Sequence, residues 1–101
     1  MLIYHIVLPE VWEAFDTGVY RHASLADEGF IHCSFAGQVD AVINRYYKNA
    51  PRVFVVEIDT GRLMSRTILE PSTANEIYPH IYGPINRTAV VRVTERRKHD
   101  R

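Results

Sequence analysis

The stretch Gly29-Phe30-Ile31-His32-Cys33-Ser34 compresses a strand-like apolar run, an imidazole, the chain's only cysteine and a hydroxyl into six residues. In an extended strand, successive side chains point to opposite faces, so His32 sits with Phe30 and Ser34 while Cys33 sits with Ile31. His32 and Cys33 therefore cannot pair directly. An isolated cysteine among apolar neighbours behaves as a small hydrophobe. The alternation thus sends Cys33 to the core, and His32 with Ser34 to the opposite face, toward a pocket. A Cys/His nucleophile would need His5, His22 or His80 to approach Cys33 from elsewhere in the chain, and ranks below the inert reading.

Working outward, Ser34 is a candidate N-cap for a helix over residues 35–48, where Phe35, Val39, Val42, Ile43 and Tyr46 recur at helical spacing. Residues 2–8 read as a strand that stops at Pro9, a residue suited to the first turn of a helix. Val11, Trp12 and Phe15 give that helix an apolar stripe, with Gly18 as its stop. TGVYRHASLADEG reads as an irregular connection holding a short turn, with Ser24 as a candidate N-cap and Gly29 closing it. RVFVVEID, residues 52–59, is a strong β segment ended by Thr60 and Gly61. From 62 to 86 periodicity fails and Pro71, Pro79 and Pro84 interrupt, so only residues 68–70 read as a short strand inside a long loop. TAVVRVTE closes the sheet and residues 96–101 form a polar, frayed tail. The expectation is an α+β fold: one small domain over residues 1–95, a bent mixed or antiparallel sheet, and two main helices.

Composition narrows the function classes. A chain of 101 residues buries roughly 60 to 70% of its unfolded-state surface, enough for one core. Twelve Lys and Arg balance twelve Asp and Glu, whereas a dedicated nucleic-acid binder carries a basic excess. Zero net charge also removes self-repulsion, which is compatible with a homodimer. One cysteine forms no intrachain disulfide, as suits a reducing compartment. MLIYHIVLPE has no basic leader and an apolar run too short for a membrane span. A soluble cytosolic protein is expected, with no membrane partner and a small-molecule or nucleotide ligand.

His5 interrupts the first strand's apolar run much as His32 interrupts the second. Burying an imidazole costs free energy unless it is hydrogen-bonded or lines a cavity, so two core histidines and a histidine-lined pocket are both consistent with the pattern. A metal site of His5, His32 and His80 lacks any H-x-H or H-E-x-x-H pair, and no metal is expected. LEPSTANEIYPHIYGPIN gathers Glu70, Glu76, Tyr78, His80 and Tyr82 between stiffening prolines, a pattern of functional loops. P-loop, G-x-G-x-x-G, G-x-S-x-G and C-x-x-C motifs are absent.

IYHIV, SLADEGFIHCS, VFVVEID, and Glu70-Pro71 followed by YPHIYGPI, in this order, resemble the bacterial family called "domain of unknown function 952" over almost the whole chain. That family is grouped by similarity with the ADP-ribosyltransferase-like fold, which includes the RNA 2′-phosphotransferases. The resemblance implies a split, strongly bent sheet with a cleft for NAD. It assigns His5 on the first core strand to the nicotinamide-side ribose, and His32 with Ser34 to its support. Glu70, or His80 with Tyr82, would be the third motif. No E-x-E or Q-x-E pair is present, which bears on transferase chemistry more than on ligand binding. The expected function is therefore NAD or nucleotide binding with ADP-ribose transfer, Glu70 and His80 being catalytic and His5, His32, Ser34 and Tyr82 ligand-binding. The alternative is a non-catalytic binding or regulatory module.

Overall fold

The computed structural model of the chain describes residues 1–15 and 18–100. Strand β1 (Leu2–Val7) ends where Pro9 opens α1 (Pro9–Glu13), at a helical position whose N–H would have no partner. β2 (Val19–Tyr20) and α2 (Ser24–Glu28) follow, and α2 stops at Gly29, whose φ of 89° is left-handed and costs glycine nothing. Next come β3 (Ile31–His32), a 3₁₀ turn (Ala36–Gln38), α3 (Val39–Tyr46) and β4 (Arg52–Asp59). The last part holds β5 (Arg66–Pro71), β6 (Ile77–Tyr82), β7 (Ile85–Asn86) and β8 (Val90–Arg97). This is a small α+β domain whose strand pairings, among the described residues, are all antiparallel. No helix of the described residues is long and apolar enough to cross a membrane.

Among the described residues, six strands form two sheets, ordered β1-β4-β8 and β3-β6-β5, while β2 pairs with β7. The two larger sheets meet at one bridge: Tyr4 N–H donates to Ser34 O at 2.8 Å and Ser34 N–H to Tyr4 O at 2.7 Å. Among the described residues no ladder continues past it, so a split sheet runs β8-β4-β1 and then β3-β6-β5.

β1 and β4 are covered on both faces. On one, Ile3, Val7, Val56 and Ile58 pack with Trp12, Tyr20, Ile31 and Ile81. On the other, Ile6, Val53 and Val55 lie under Val39 and Ile43 of α3. Two-sided burial explains why IYHIV and VFVVEI read as continuous apolar runs rather than alternating ones. Each fully buried valine or isoleucine contributes roughly 1.5–3 kcal/mol.

Several elements differ from expectation. α3 begins at Val39, because the backbone of Ser34 is committed to the bridge with Tyr4 and its side chain caps nothing. Instead Gln38 Oε1 accepts the Phe35 N–H at 2.9 Å and closes the 3₁₀ turn. Ser24 is the first residue of α2 rather than its N-cap. The first helix ends at Glu13, and the expected continuation across Asp16 and Thr17 lies outside the described residues. The final strand runs on to Arg97; of the expected tail, Arg101 also lies outside them.

The largest difference is residues 62–86, which form the β5–β6 hairpin and β7 rather than a long loop. Pro79 is tolerated inside β6 for a geometric reason. A residue's N–H and C=O point to the same side of a strand, and Pro79 O faces β3, accepting from Cys33 N–H at 3.1 Å. Its missing N–H therefore falls where the β3 ladder ends, and the β5 ladder is untouched.

Gly83, after β6, has φ 152°, and a Cβ there would collide with the Ser65 hydroxyl. That hydroxyl is held by donating to Pro84 O at 2.6 Å. Gly83→Ala should lower stability by about 1–3 kcal/mol through strain and clash, measured by urea denaturation. Unchanged stability would show that the turn relaxes freely.

Candidate functional site

Where β1 leaves β3, backbone carbonyls lose their ladder partners and side chains replace them. Tyr4 and Ser34 face each other, so by the strand's two-residue period Ile6 and His32 also turn their carbonyls into the gap. His5 Nδ1–H donates to His32 O at 2.7 Å, and the Tyr47 hydroxyl donates to Ile6 O at 3.3 Å. The gap held open in this way is a cavity of about 560 Å³, lined by His5, His22, Glu28, His32 and Ser34 and by Ile6, Cys33, Val42, Tyr46, Tyr47, Ser72, Thr73 and Tyr78. Its volume suits a small molecule.

The tautomer of His5 follows from its partners. A carbonyl can only accept, so Nδ1 carries the proton and Nε2 accepts from the Tyr20 hydroxyl at 2.9 Å. Tyr20 is fully buried against Trp12 and Phe15, at ring distances of 4.7 and 5.2 Å. Burial lowers the His5 pKa from its ordinary 6.5 to about 4, the His32 carbonyl offsetting part of the effect and neighbouring His22 and His32 adding to it. Burial likewise pushes the Tyr20 phenol up. The pair is neutral at pH 7, and both ring nitrogens of His5 are used. His5 therefore offers the cavity ring surface, not a free donor or acceptor.

His22 and His32 differ from it. The Ser24 backbone N–H donates to His22 Nδ1 at 3.1 Å, with the Ser24 hydroxyl 3.0 Å away, so the ring proton is on Nε2. Burial lowers the His22 pKa, and the proximity of His32 lowers it further. His32 Nε2–H donates to Glu28 Oε2 at 2.8 Å. In the neutral ring this leaves Nδ1 as an acceptor.

Glu70, His80 and Tyr82 gather in a second cluster. Glu70 Oε1 accepts from the Tyr82 hydroxyl at 2.6 Å and from His80 Nδ1–H at 2.8 Å. These bonds, Tyr82 first, lower the Glu70 pKa, and Glu70 raises that of Tyr82. None of the three lines the cavity. The cluster lies beside it: His80 stacks on Phe30 at 4.1 Å and meets the His32 ring edge-on at 5.4 Å. His80 is 3% exposed, and its Nε2 has no partner among the described residues. Thus His5, His32 and Ser34 converge on one cavity, while Glu70, His80 and Tyr82 form its flank. Cys33 packs in the core and also reaches the cavity wall. Among the described residues no group of three or more His, Cys, Asp and Glu is placed to hold a metal ion.

Sequence reasoning missed Glu28, Tyr20, Tyr46 and Tyr47 as parts of this site, and considered His22 only as a partner for Cys33. The signal available was local: Glu28 stands four residues before His32, and His22 two before Ser24.

Because folded His5 resists the proton that the unfolded chain accepts, its contribution is intact above pH 6.5 and is lost as pH falls from 6.5 to about 4. The loss amounts to about 3 kcal/mol. Urea titrations at pH 7.5 and 4.5 should register it, and His5→Gln, which can serve both partners without titrating, should shrink it; an equal loss in the variant would exclude His5 as the source. Separately, burial raises the Cys33 pKa, so alkylation of the native thiol should be slow at pH 7.5 and become fast in denaturant.

Two solved structures share the fold. Protein CC0527 from Caulobacter crescentus is 24% identical, with a TM-score of 0.84 over 94% of this chain and 85% of that one. A double-methionine variant of it is 23% identical, with a TM-score of 0.83 over the same shares. No curated protein matches. The family described as "Protein of unknown function (DUF952)" matches residues 6–93, and the chain belongs to that family.

Proposed function

We propose that the cavity at the sheet split binds NAD or a related nucleotide by its nicotinamide–ribose end, in the manner of an ADP-ribosyltransferase-like protein acting in the cytosol. The observation that carries this reading is the convergence of His5, His22, His32 and Ser34 on one cavity of about 560 Å³ at the only bridge between the two larger sheets among the described residues. His22, His32 and the Ser34 hydroxyl supply donors and acceptors for a sugar and its base, and His5 and the tyrosines supply ring surface.

Transfer of ADP-ribose would break the bond between ribose C1′ and the nicotinamide nitrogen, the pair of electrons leaving with neutral nicotinamide. An acceptor nucleophile forms the new bond to C1′ and gives up its proton. A carboxylate stabilises the oxocarbenium-like ribose between these events. Among the described residues Glu28 is the one carboxylate lining the cavity, so in this mechanism it takes the electrostatic role, and Glu70 with His80 and Tyr82 acts from the flank through Phe30 and His32.

One observation favours a binding module instead: Glu28 Oε2 already accepts from His32 Nε2–H at 2.8 Å, so that oxygen is turned to the protein rather than to a ligand. Two measurements separate the readings. NAD or ADP-ribose at a hundred times Kd should stabilise the fold by about 2.7 kcal/mol, a rise of several degrees in Tm. Nicotinamide release from NAD should accompany it and fall in Glu28→Gln. A Tm rise without release supports the module, and no rise at millimolar ligand removes the nucleotide reading.

A further inference from the structure

The wall formed by His22 and His32 carries a hydrogen-bonding pattern more specific than a general affinity for nucleotides. The tautomer of His22 is set from outside the cavity, since the Ser24 amide can only donate to Nδ1, leaving Nε2–H as a donor. His32 is set in the opposite sense, since Glu28 can only accept from Nε2, leaving Nδ1 of the neutral ring as an acceptor. Neither of these remaining atoms has a protein partner among the described residues. Both rings line the cavity and flank His5, whose ring is 5.5 Å from that of His22 and whose Nδ1 holds the His32 carbonyl. His5 itself competes for neither position, because both of its nitrogens are used.

We infer that His22 Nε2–H and His32 Nδ1 form a donor–acceptor pair selecting a ligand with a neutral amide edge, the carbonyl on His22 and the N–H on His32. Among the described residues no Lys or Arg lines the cavity, and Glu28 contributes the one carboxylate. An anionic group in the amide's place would meet a lone pair at His32 and a negative charge behind it, with no cation to offset the cost of its desolvation. The pair therefore distinguishes an amide from the corresponding acid. The inference rests on the proposal that this cavity binds a small ligand, and names the chemistry that it reads there.

Three pyridines of nearly equal shape test it on the full chain at pH 8: nicotinamide with both groups, 3-acetylpyridine with the acceptor alone, and nicotinate with a charged acceptor. Titration calorimetry should give the order nicotinamide, 3-acetylpyridine, nicotinate, each step weaker by about tenfold, the scale of one hydrogen bond. His22→Ala should weaken nicotinamide and 3-acetylpyridine alike by about tenfold, and His22→Gln, which keeps a donor, should recover part of that. His32→Ala should bring nicotinamide down to the affinity of 3-acetylpyridine and leave the latter unchanged. Equal binding of the three compounds, preference for nicotinate, or indifference of nicotinamide to His22→Ala would overturn the inference. If all three fail while ADP-ribose raises Tm, the amide edge is wrong and the nucleotide cavity stands; if all ligands fail, both fall.

Discussion

The two hydrogen bonds between Tyr4 and Ser34 are the constraint from which the rest of the molecule follows. They form the single bridge that, among the described residues, joins the two three-stranded sheets, and they set the register that turns the carbonyls of Ile6 and His32 into the gap beyond it. A buried carbonyl without a partner costs about 1–3 kcal/mol. His5 and Tyr47 remove that cost by donating across the opening. The side chains that keep the sheet split are thus the same ones that wall the cavity, and fold and site cannot be altered independently.

Burial assigns the histidines different chemistry. His5 is enclosed, neutral and saturated, so its value is structural and its surface apolar. His22 and His32 stand at the same cavity with one nitrogen each committed to the protein. Behind them, Phe30, His32 and His80 form a triangle of rings, His80 face-on to Phe30 and His32 edge-on to both, and each imidazole is hydrogen-bonded to a carboxylate, Glu28 for His32 and Glu70 for His80. These ring contacts and hydrogen bonds stiffen the short β3 strand, which is otherwise held by the β6 ladder and the Tyr4 bridge.

Legibility in the sequence tracked how local the cause was. The face of α3 carrying Val39 and Ile43 was plain, because it packs on one side only. Its first turn was misjudged because Ser34 is claimed by Tyr4, thirty positions away. The β5–β6 hairpin was read as a loop for a related reason: Tyr78, His80 and Tyr82 alternate with Ile77, Pro79 and Ile81, and buried Tyr78 and His80, the latter held by Glu70, do not look like part of a core face. Pro79, which by rule argues against a strand, sits where the ladder with β3 has already ended.

By itself the sequence determined the α+β class, the strand character of residues 2–7 and 52–59, the opposed facing of Cys33 and His32, and the chain's family. These depend on side-chain period and on short-range sterics, which a linear reading contains. Tertiary structure alone decided that His5 would saturate both nitrogens, that Glu28 rather than Glu70 would stand at the cavity, and that His80 would lie on its flank. Each of those outcomes turns on an angstrom-scale distance between residues far apart in the chain. Hydrogen-bond energy falls steeply with distance and angle, so the partner each imidazole finds is settled only when the two sheets meet at Tyr4 and Ser34.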